Sequence, residues 1–333
     1  MATISVLSID GGGIRGMIPA AFLNRLEQRT GRRVSDLFDY VAGTSTGGIL
    51  ALGLGGNRPG CNSPYTAEQL VRLYKTEGRR IFSRSLLHFA RALDNLNGPR
   101  FPEYGIDEVL KRYFGDTRLK DARTNVVVTA YAIEKRRPFF FRSWQAKAPA
   151  TRRTHDFPVW EVARSTSAAP TFFPPFKATA ADGKSYALID GGVYANNPAL
   201  CAWVEARDRH PHHEILVVSI GTGNENRAVD FRRAKRWGLA GWARPLVDVI
   251  FDGVSDTVHV ELDQMLNPGD ARNYFRFQQD IPPAQQALDD TSAENLTVLR
   301  RIGEAMAQGK EFEDLCAQLG AIAAERAALN QVA

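Results

Sequence analysis

Two strand–glycine turn–helix units near the start of the chain constrain its fold more than any other feature. Ile4 to Ile9 is a short run rich in β-formers. It ends in Asp10-Gly11-Gly12-Gly13-Ile14-Arg15-Gly16, and a helical pattern follows with Met17, Ala21, Phe22 and Leu26 on one face, closing near Gly31. Tyr40-Val41-Ala42 is a second short strand. Gly43-Thr44-Ser45-Thr46-Gly47-Gly48 turns it into a helix expected to start near Ile49. A strand that runs straight into a helix lays that helix back across the sheet, so the next strand enters parallel to the first.

The alternation continues. Asn125 to Ile133 is so dense in β-branched residues that it reads as a strand buried on both faces. Further strands are expected at Phe139 to Trp144, Ser185 to Ile189, Glu214 to Ile220 and Asn273 to Gln278. Helices are expected at Val159 to Ala169, Pro198 to Asp208, Ser292 to Gln308 and from Lys310 to about Asn330. This order predicts an α/β fold in three layers, α/β/α, around a mainly parallel central sheet. No internal repeat or low-complexity linker interrupts the 333 residues. One domain is expected over 1–333, with a core at about 4–210 and helical and strand elements over 211–333.

Hydrophobic residues make up 44% of the chain, enough for a sizeable core. The formal net charge of +5 favours anionic surfaces such as phospholipid headgroups. It is too weak to imply a nucleic acid polymer. Cys61, Cys201 and Cys316 lie far apart, with neither a disulfide framework nor a zinc-site spacing. Met1 to Ser8 lacks the basic region and long apolar stretch of a signal peptide, and no apolar run is long enough to span a bilayer. The expectation is a cytoplasmic protein that meets membranes from the surface.

Gly43-Thr44-Ser45-Thr46-Gly47 has the Gly-X-Ser-X-Gly form of a nucleophile elbow. A serine on such a turn projects its hydroxyl beyond the sheet, and the flanking glycines let strand and helix backbones pass closely. The following helix brings free N–H groups and a positive dipole end. Gly11, Gly12 and Gly13 also lie between a strand and a helix. Consecutive glycines allow backbone amides to converge on one anion, as acyl transfer requires of an oxyanion hole. Arg15 would hold that loop or attract an anionic headgroup. The rival reading is a dinucleotide fingerprint, which Gly11, Gly13 and Gly16 satisfy in spacing. No strand ending in an acid follows at the expected distance, and Asp10 would repel a pyrophosphate.

A serine hydroxyl needs a base. The histidines are His88, His155, His210, His212, His213 and His259, none in a recognisable catalytic context. His259 follows Asp190 in the chain, so a Ser–Asp–His order is formally available. Asp190 ends a strand and precedes Gly191 and Gly192. It reads either as a base acting directly on the serine, if desolvated, or as a structural Asp-Gly turn.

The set resembles the patatin-like phospholipases. Residues 10–16 resemble their oxyanion motif, 43–47 their serine elbow and Asp190-Gly191-Gly192 their Asp-Gly-Gly motif. Ser167-Ala168-Ala169-Pro170-Thr171-Phe172-Phe173-Pro174 is similar to the segment before that aspartate. Val218 to Gly223 and Leu288 to Asn295 are similar to plant patatins. The likeness spans roughly residues 4 to 300. It implies the patatin-like three-layer fold and a dyad of Ser45 and Asp190 without histidine. It further implies hydrolysis of phospholipid acyl esters with no cofactor and no metal. An acyltransferase and a catalytically silent lipid-binding module are the alternatives. Some bacterial members of this compact size are antiphage effectors switched on by cyclic dinucleotides, so the resemblance adds such an activator as a partner. Arg79-Arg80 and Arg232-Arg233 are candidates to hold its phosphates, with Tyr74, Phe82, Phe231 or Trp237 to stack on its bases.

Two stretches suit a membrane surface. Arg79 to Leu96 carries Ile81, Phe82, Leu86, Leu87, Phe89 and Leu93 among arginines. Arg232 to Ile250 carries Trp237, Leu239, Trp242, Leu246 and Ile250 behind Arg232, Arg233, Lys235 and Arg236. The alternative is that both are helices covering the core. A homodimer is also left open.

Overall fold

A computed structural model describes residues 3–83, 98–224, 229–242, 245–269 and 271–332. Strand β1 (Ile4–Ile9) is buried on both sides, as its unbroken apolar and small residues require. It pairs in parallel with β2 (Tyr40–Gly43) on one edge. A later strand, Ile215–Ile220, pairs in parallel on the other edge.

β2 pairs in parallel with β3 (Asn125–Ala132). Beyond this point the sheet turns antiparallel. β4 (Arg137–Arg142) returns along β3 after the turn at 133–136. β5 (Phe176–Thr179) and β6 (Ser185–Asp190) pair with each other, and β6 pairs with β3. The short β3–β4 and β5–β6 connections can only join antiparallel neighbours. β7 (Ile215–Ile220) and β8 (Tyr274–Phe277) pair in parallel and complete the other side. The order is β5-β6-β3-β2-β1-β7-β8, with β4 on β3. The sheet is mainly parallel, as expected, with its antiparallel pairings confined to the side of β4, β5 and β6. The C-terminal elements beyond residue 210 supply two of its strands.

Successive residues of β1 serve opposite layers. Leu7 and Ile9 face a large apolar layer with the helices Met17–Thr30, Thr46–Gly55, Ala67–Ile81 and Ala293–Met306. Val6 faces a smaller one with Ala199–Arg209 and the buried side of Pro245–Leu266. The helix after the elbow starts at Thr46 rather than near Ile49, because Ser45 alone completes the reversal. β4 stops at Arg142 and Ser143–Lys147 is helical, so Trp144 belongs to a helix. Of the two basic–aromatic stretches, 84–96 falls outside the described residues.

Candidate active site

Strand β3 brings Ser45 and Asp190 together. One edge of β3 is occupied by β4 from Val127 to Ala132. The other edge is shared. β2 takes Asn125 to Val128 and β6 takes Ala130 to Ala132. β2 runs with β3 and ends at Gly43, opposite Val128. β6 runs against β3 and ends at Asp190, opposite Ala130. The two strands therefore arrive head to head, and the residues that follow β2 meet the residue that ends β6.

Ser45 sits at φ 55° and ψ −123°, a conformation that non-glycine residues rarely adopt. The turn is held by packing. A Cβ on Gly43 would collide with the Gly47 carbonyl, and one on Gly47 with the carbonyls of Ile9 and Asp10. The Ser45 N–H donates to Thr166 Oγ1 at 2.8 Å. Below it, Thr44 Oγ1 donates to the Ala195 carbonyl at 2.6 Å and lies 2.7 Å from Thr129 Oγ1. Gly191 packs on that same Thr129.

Asp190 is 1% exposed. Its carboxylate accepts the Gly192 N–H at 2.8 Å and lies beside the Ser45 side chain. Burial pushes its carboxyl up to about 7, against the pull of those two groups. An acid poised there can accept a proton near neutral pH.

The glycine loop follows β1 beside the elbow. Asp10 is clamped from below by Arg276, Nη1 to Oδ1 at 3.0 Å and Nη2 to Oδ2 at 2.6 Å, with Ser255 Oγ donating at 3.2 Å. The Gly11 N–H is committed to the Asn196 carbonyl at 3.0 Å, and Gly11 does not face the cleft. The expectation that Gly11 lends an oxyanion donor is corrected on that ground. Gly12 and Gly13 do line the cleft, and among the described residues their amides carry no hydrogen bond. Gly13 holds φ 56°, with the Leu288 carbonyl where a Cβ would stand. Gly16 packs against Thr46 and Tyr74. Arg15 is buried and lines a polar hollow with Asp10, Thr222 and Gln278 rather than the cleft.

Ser45, Asp190, Gly12 and Gly13 open onto one cleft of about 790 Å³, part of it open to solvent. Its walls are almost wholly apolar. Ile49, Leu73, Ile81, Ile106 and Phe173 form the buried end. Phe82, Phe172, Phe251 and Leu288 stand nearer the surface. No histidine lines it among the described residues. His259 sits on the Pro245–Leu266 helix, 3.3 Å from the Tyr274 hydroxyl, and His88 lies outside the described residues. No grouping of potential metal ligands occurs among the described residues. Tyr74 is buried against Thr46 and cannot stack on a base from solvent. Phe82 belongs to the cleft, Trp237 packs edge-on to Trp242, and Phe231 is exposed.

Sequence reasoning did not reveal Thr166, Arg276, Asn196 or Phe251. Thr166 directly precedes the segment from Ser167 to Pro174 that the sequence did single out.

A family model described as patatin-like phospholipase matches residues 7–203. Patatin-like protein 2 of Oryza sativa subsp. indica is 32% identical over 91% of this chain and 83% of its own length. Patatin-like protein 2 of Arabidopsis thaliana is 32% identical over 91% and 82%. A protein of Solanum tuberosum named probable inactive patatin-3-Kuras 1 is 30% identical over 93% and 88%. Among solved structures, VipD from Legionella pneumophila overlays 96% of this chain and 67% of its own, with a TM-score of 0.48 at 14% identity.

Proposed function

Since the chain belongs to the patatin-like phospholipase family, we propose that it hydrolyses acyl esters of membrane glycerophospholipids, with Ser45 as nucleophile and Asp190 as its base. One observation carries this reading. A buried carboxyl pushed up to about 7 stands beside a strained serine at the head of an apolar cleft. Asp190 takes the Ser45 proton as the oxygen attacks the ester carbonyl. The negative oxygen of the tetrahedral intermediate faces the Gly12 and Gly13 amides. Collapse expels the lysolipid alkoxide, which takes the proton back from Asp190. Water then attacks the acyl-enzyme as Asp190 accepts its proton; collapse of this second intermediate expels Ser45 Oγ, which takes the proton back from Asp190, and the fatty acid leaves. The apolar end of the cleft suits an acyl chain, which gains by leaving water.

The test is release of fatty acid from phospholipid, and hydrolysis of a soluble short-chain ester, by purified protein. Ser45→Ala and Asp190→Asn should each lower turnover by at least about 10³-fold with the fold intact. The double variant should be little worse than either single one, because the pair acts as a unit. Near-normal turnover in folded Asp190→Asn would sink the dyad. Products formed with an added alcohol acceptor separate hydrolysis from acyl transfer.

A further inference from the structure

The Pro245–Leu266 helix is apolar on two sides. Ser255, Val258 and Leu262 are buried against the fold. The opposite side exposes Leu246, Val249 and Ile250, at the spacing of one helical face. Just before this helix, the Phe231 ring is 77% exposed and Trp242 is also exposed, resting edge-on against Trp237 at 5.2 Å. Large apolar side chains grouped at the surface mark a contact, since scattered single ones are the norm.

Charge tells what the contact is. Arg232, Arg233, Lys235 and Arg236 are all exposed beside Phe231, against the single acid Asp230 within 229–236. None of the four enters an ion pair among the described residues. A second copy of the chain docking here by two-fold symmetry would bring these cations face to face. An anionic bilayer would neutralise them, accept Phe231, Leu246 and Ile250 below its headgroups, and hold indole rings at headgroup level. The patch is also continuous with the cleft. Phe251 follows Ile250 on the same helix, lines the cleft and packs beside Gly192, next to Asp190.

We propose that the surface carrying Phe231, the four cations beside it, Trp242, Leu246, Val249 and Ile250 docks this protein on anionic membranes, with the cleft mouth set against the lipid layer. This rests on reading the cleft as a lipid acyl hydrolase site. Docking then places the ester beside Ser45 without requiring a whole lipid to enter water.

The experiment is co-sedimentation with vesicles, using the full chain carrying Ser45→Ala so that lipid is not consumed. Vesicles of phosphatidylcholine alone are compared with vesicles of phosphatidylcholine mixed with phosphatidylglycerol, at low and high salt. Binding should favour the anionic vesicles and fall with salt. Arg232→Ala with Arg233→Ala should weaken anionic binding by about fivefold per charge removed. Phe231→Ala with Ile250→Ala should weaken binding to either vesicle by about tenfold or more. The same four substitutions with Ser45 intact should leave hydrolysis of a soluble short-chain ester unchanged while slowing hydrolysis of vesicle lipid. Unaltered vesicle binding by both pairs of variants would overturn the proposal. So would a wild-type dimer that the same substitutions convert to a monomer, since the face would then join two copies. Loss of the soluble-ester reaction in the wild type would instead remove the hydrolase reading, while vesicle binding would still report on the surface.

Discussion

Asp190 stands where its negative charge is costly, and in the proposed dyad that cost gives the residue its use. Ionisation is needed for the carboxylate to take the Ser45 proton, so hydrolysis of a soluble ester should rise with pH through about 7 and level off above it. A rate already flat well below neutrality would show that another group is the base. The same burial links to stability with a definite sign. The folded-state pKa lies above the ordinary value of 3.8, so between those values the folded state binds more protons than the unfolded state. Stability conferred by the neutral form is complete below about 4 and is lost as pH rises through about 7. Asp190→Asn removes this loss. In urea unfolding the variant should be more stable than wild type at alkaline pH, by at most about 4 kcal/mol for a shift of about three units. The two should converge near pH 4. A variant less stable than wild type at alkaline pH would contradict the account. Ser45 and Asp190 were both legible in the sequence because each is announced by the glycines its own turn needs. Thr166 and Arg276 were not, since a hydroxyl or guanidinium that arrives from a distant element leaves no local pattern.

At the scale of elements, the glycine loop is a short piece of backbone fixed from below and from the side. Arg276 on β8 holds Asp10 with two bonds, and also donates to Ser219 Oγ at 2.7 Å. The Ile14 N–H is tied to the Leu288 carbonyl at 2.8 Å. In the proposed reaction the loop can therefore present the Gly12 and Gly13 amides without reorganising, which is what makes such donors effective. Arg276→Lys keeps the charge and loses the fork. We expect kcat on a soluble ester to fall by about tenfold to a hundredfold with little change in KM. Arg276→Met strands a buried Asp10 and should lower stability by about 3–5 kcal/mol. A rise in KM alone in the lysine variant would make Arg276 a structural residue without influence on the loop. Several elements were readable from local pattern, among them β1, β3 and β7 with their buried runs and the helix stopped by Gly31. β4 and β6 were also anticipated, but β5 was not, because it is short and half-exposed and its pairing with β6 depends on register, which composition does not reveal. The capping box of Thr66 and Gln69 would have marked the start of the Ala67–Ile81 helix.

Over the whole molecule, chemistry and anchoring occupy opposite ends of the sheet. Asp10, Gly12 and Ser45 follow the carboxyl ends of β1 and β2, as expected of open α/β sheets. At the amino ends, Arg326 on the Lys310–Val332 helix reaches Asp39, just before β2, and donates to Ser5 Oγ at 2.9 Å within β1. Asp39 in turn accepts the Ser5 N–H at 2.8 Å. This knot ties the last helix to the two central strands, a connection that no nearby residue of the sequence announces. Because rigid strands separate the two ends, damage at one should not reach the other. Arg326→Ala leaves Asp39 half-buried without its cation, and we expect a loss of about 1–3 kcal/mol with a fall of a few degrees in Tm. Turnover of a soluble ester at a temperature where the variant is folded should stay within about twofold of wild type, since removing a contact so far from the reacting atoms leaves the transition-state interactions in place. Thermal unfolding and ester kinetics on the same preparation decide the matter. A variant of near-normal Tm with strongly reduced kcat would show that the sheet transmits strain from its amino ends to the elbow, and the separation argued here would fail.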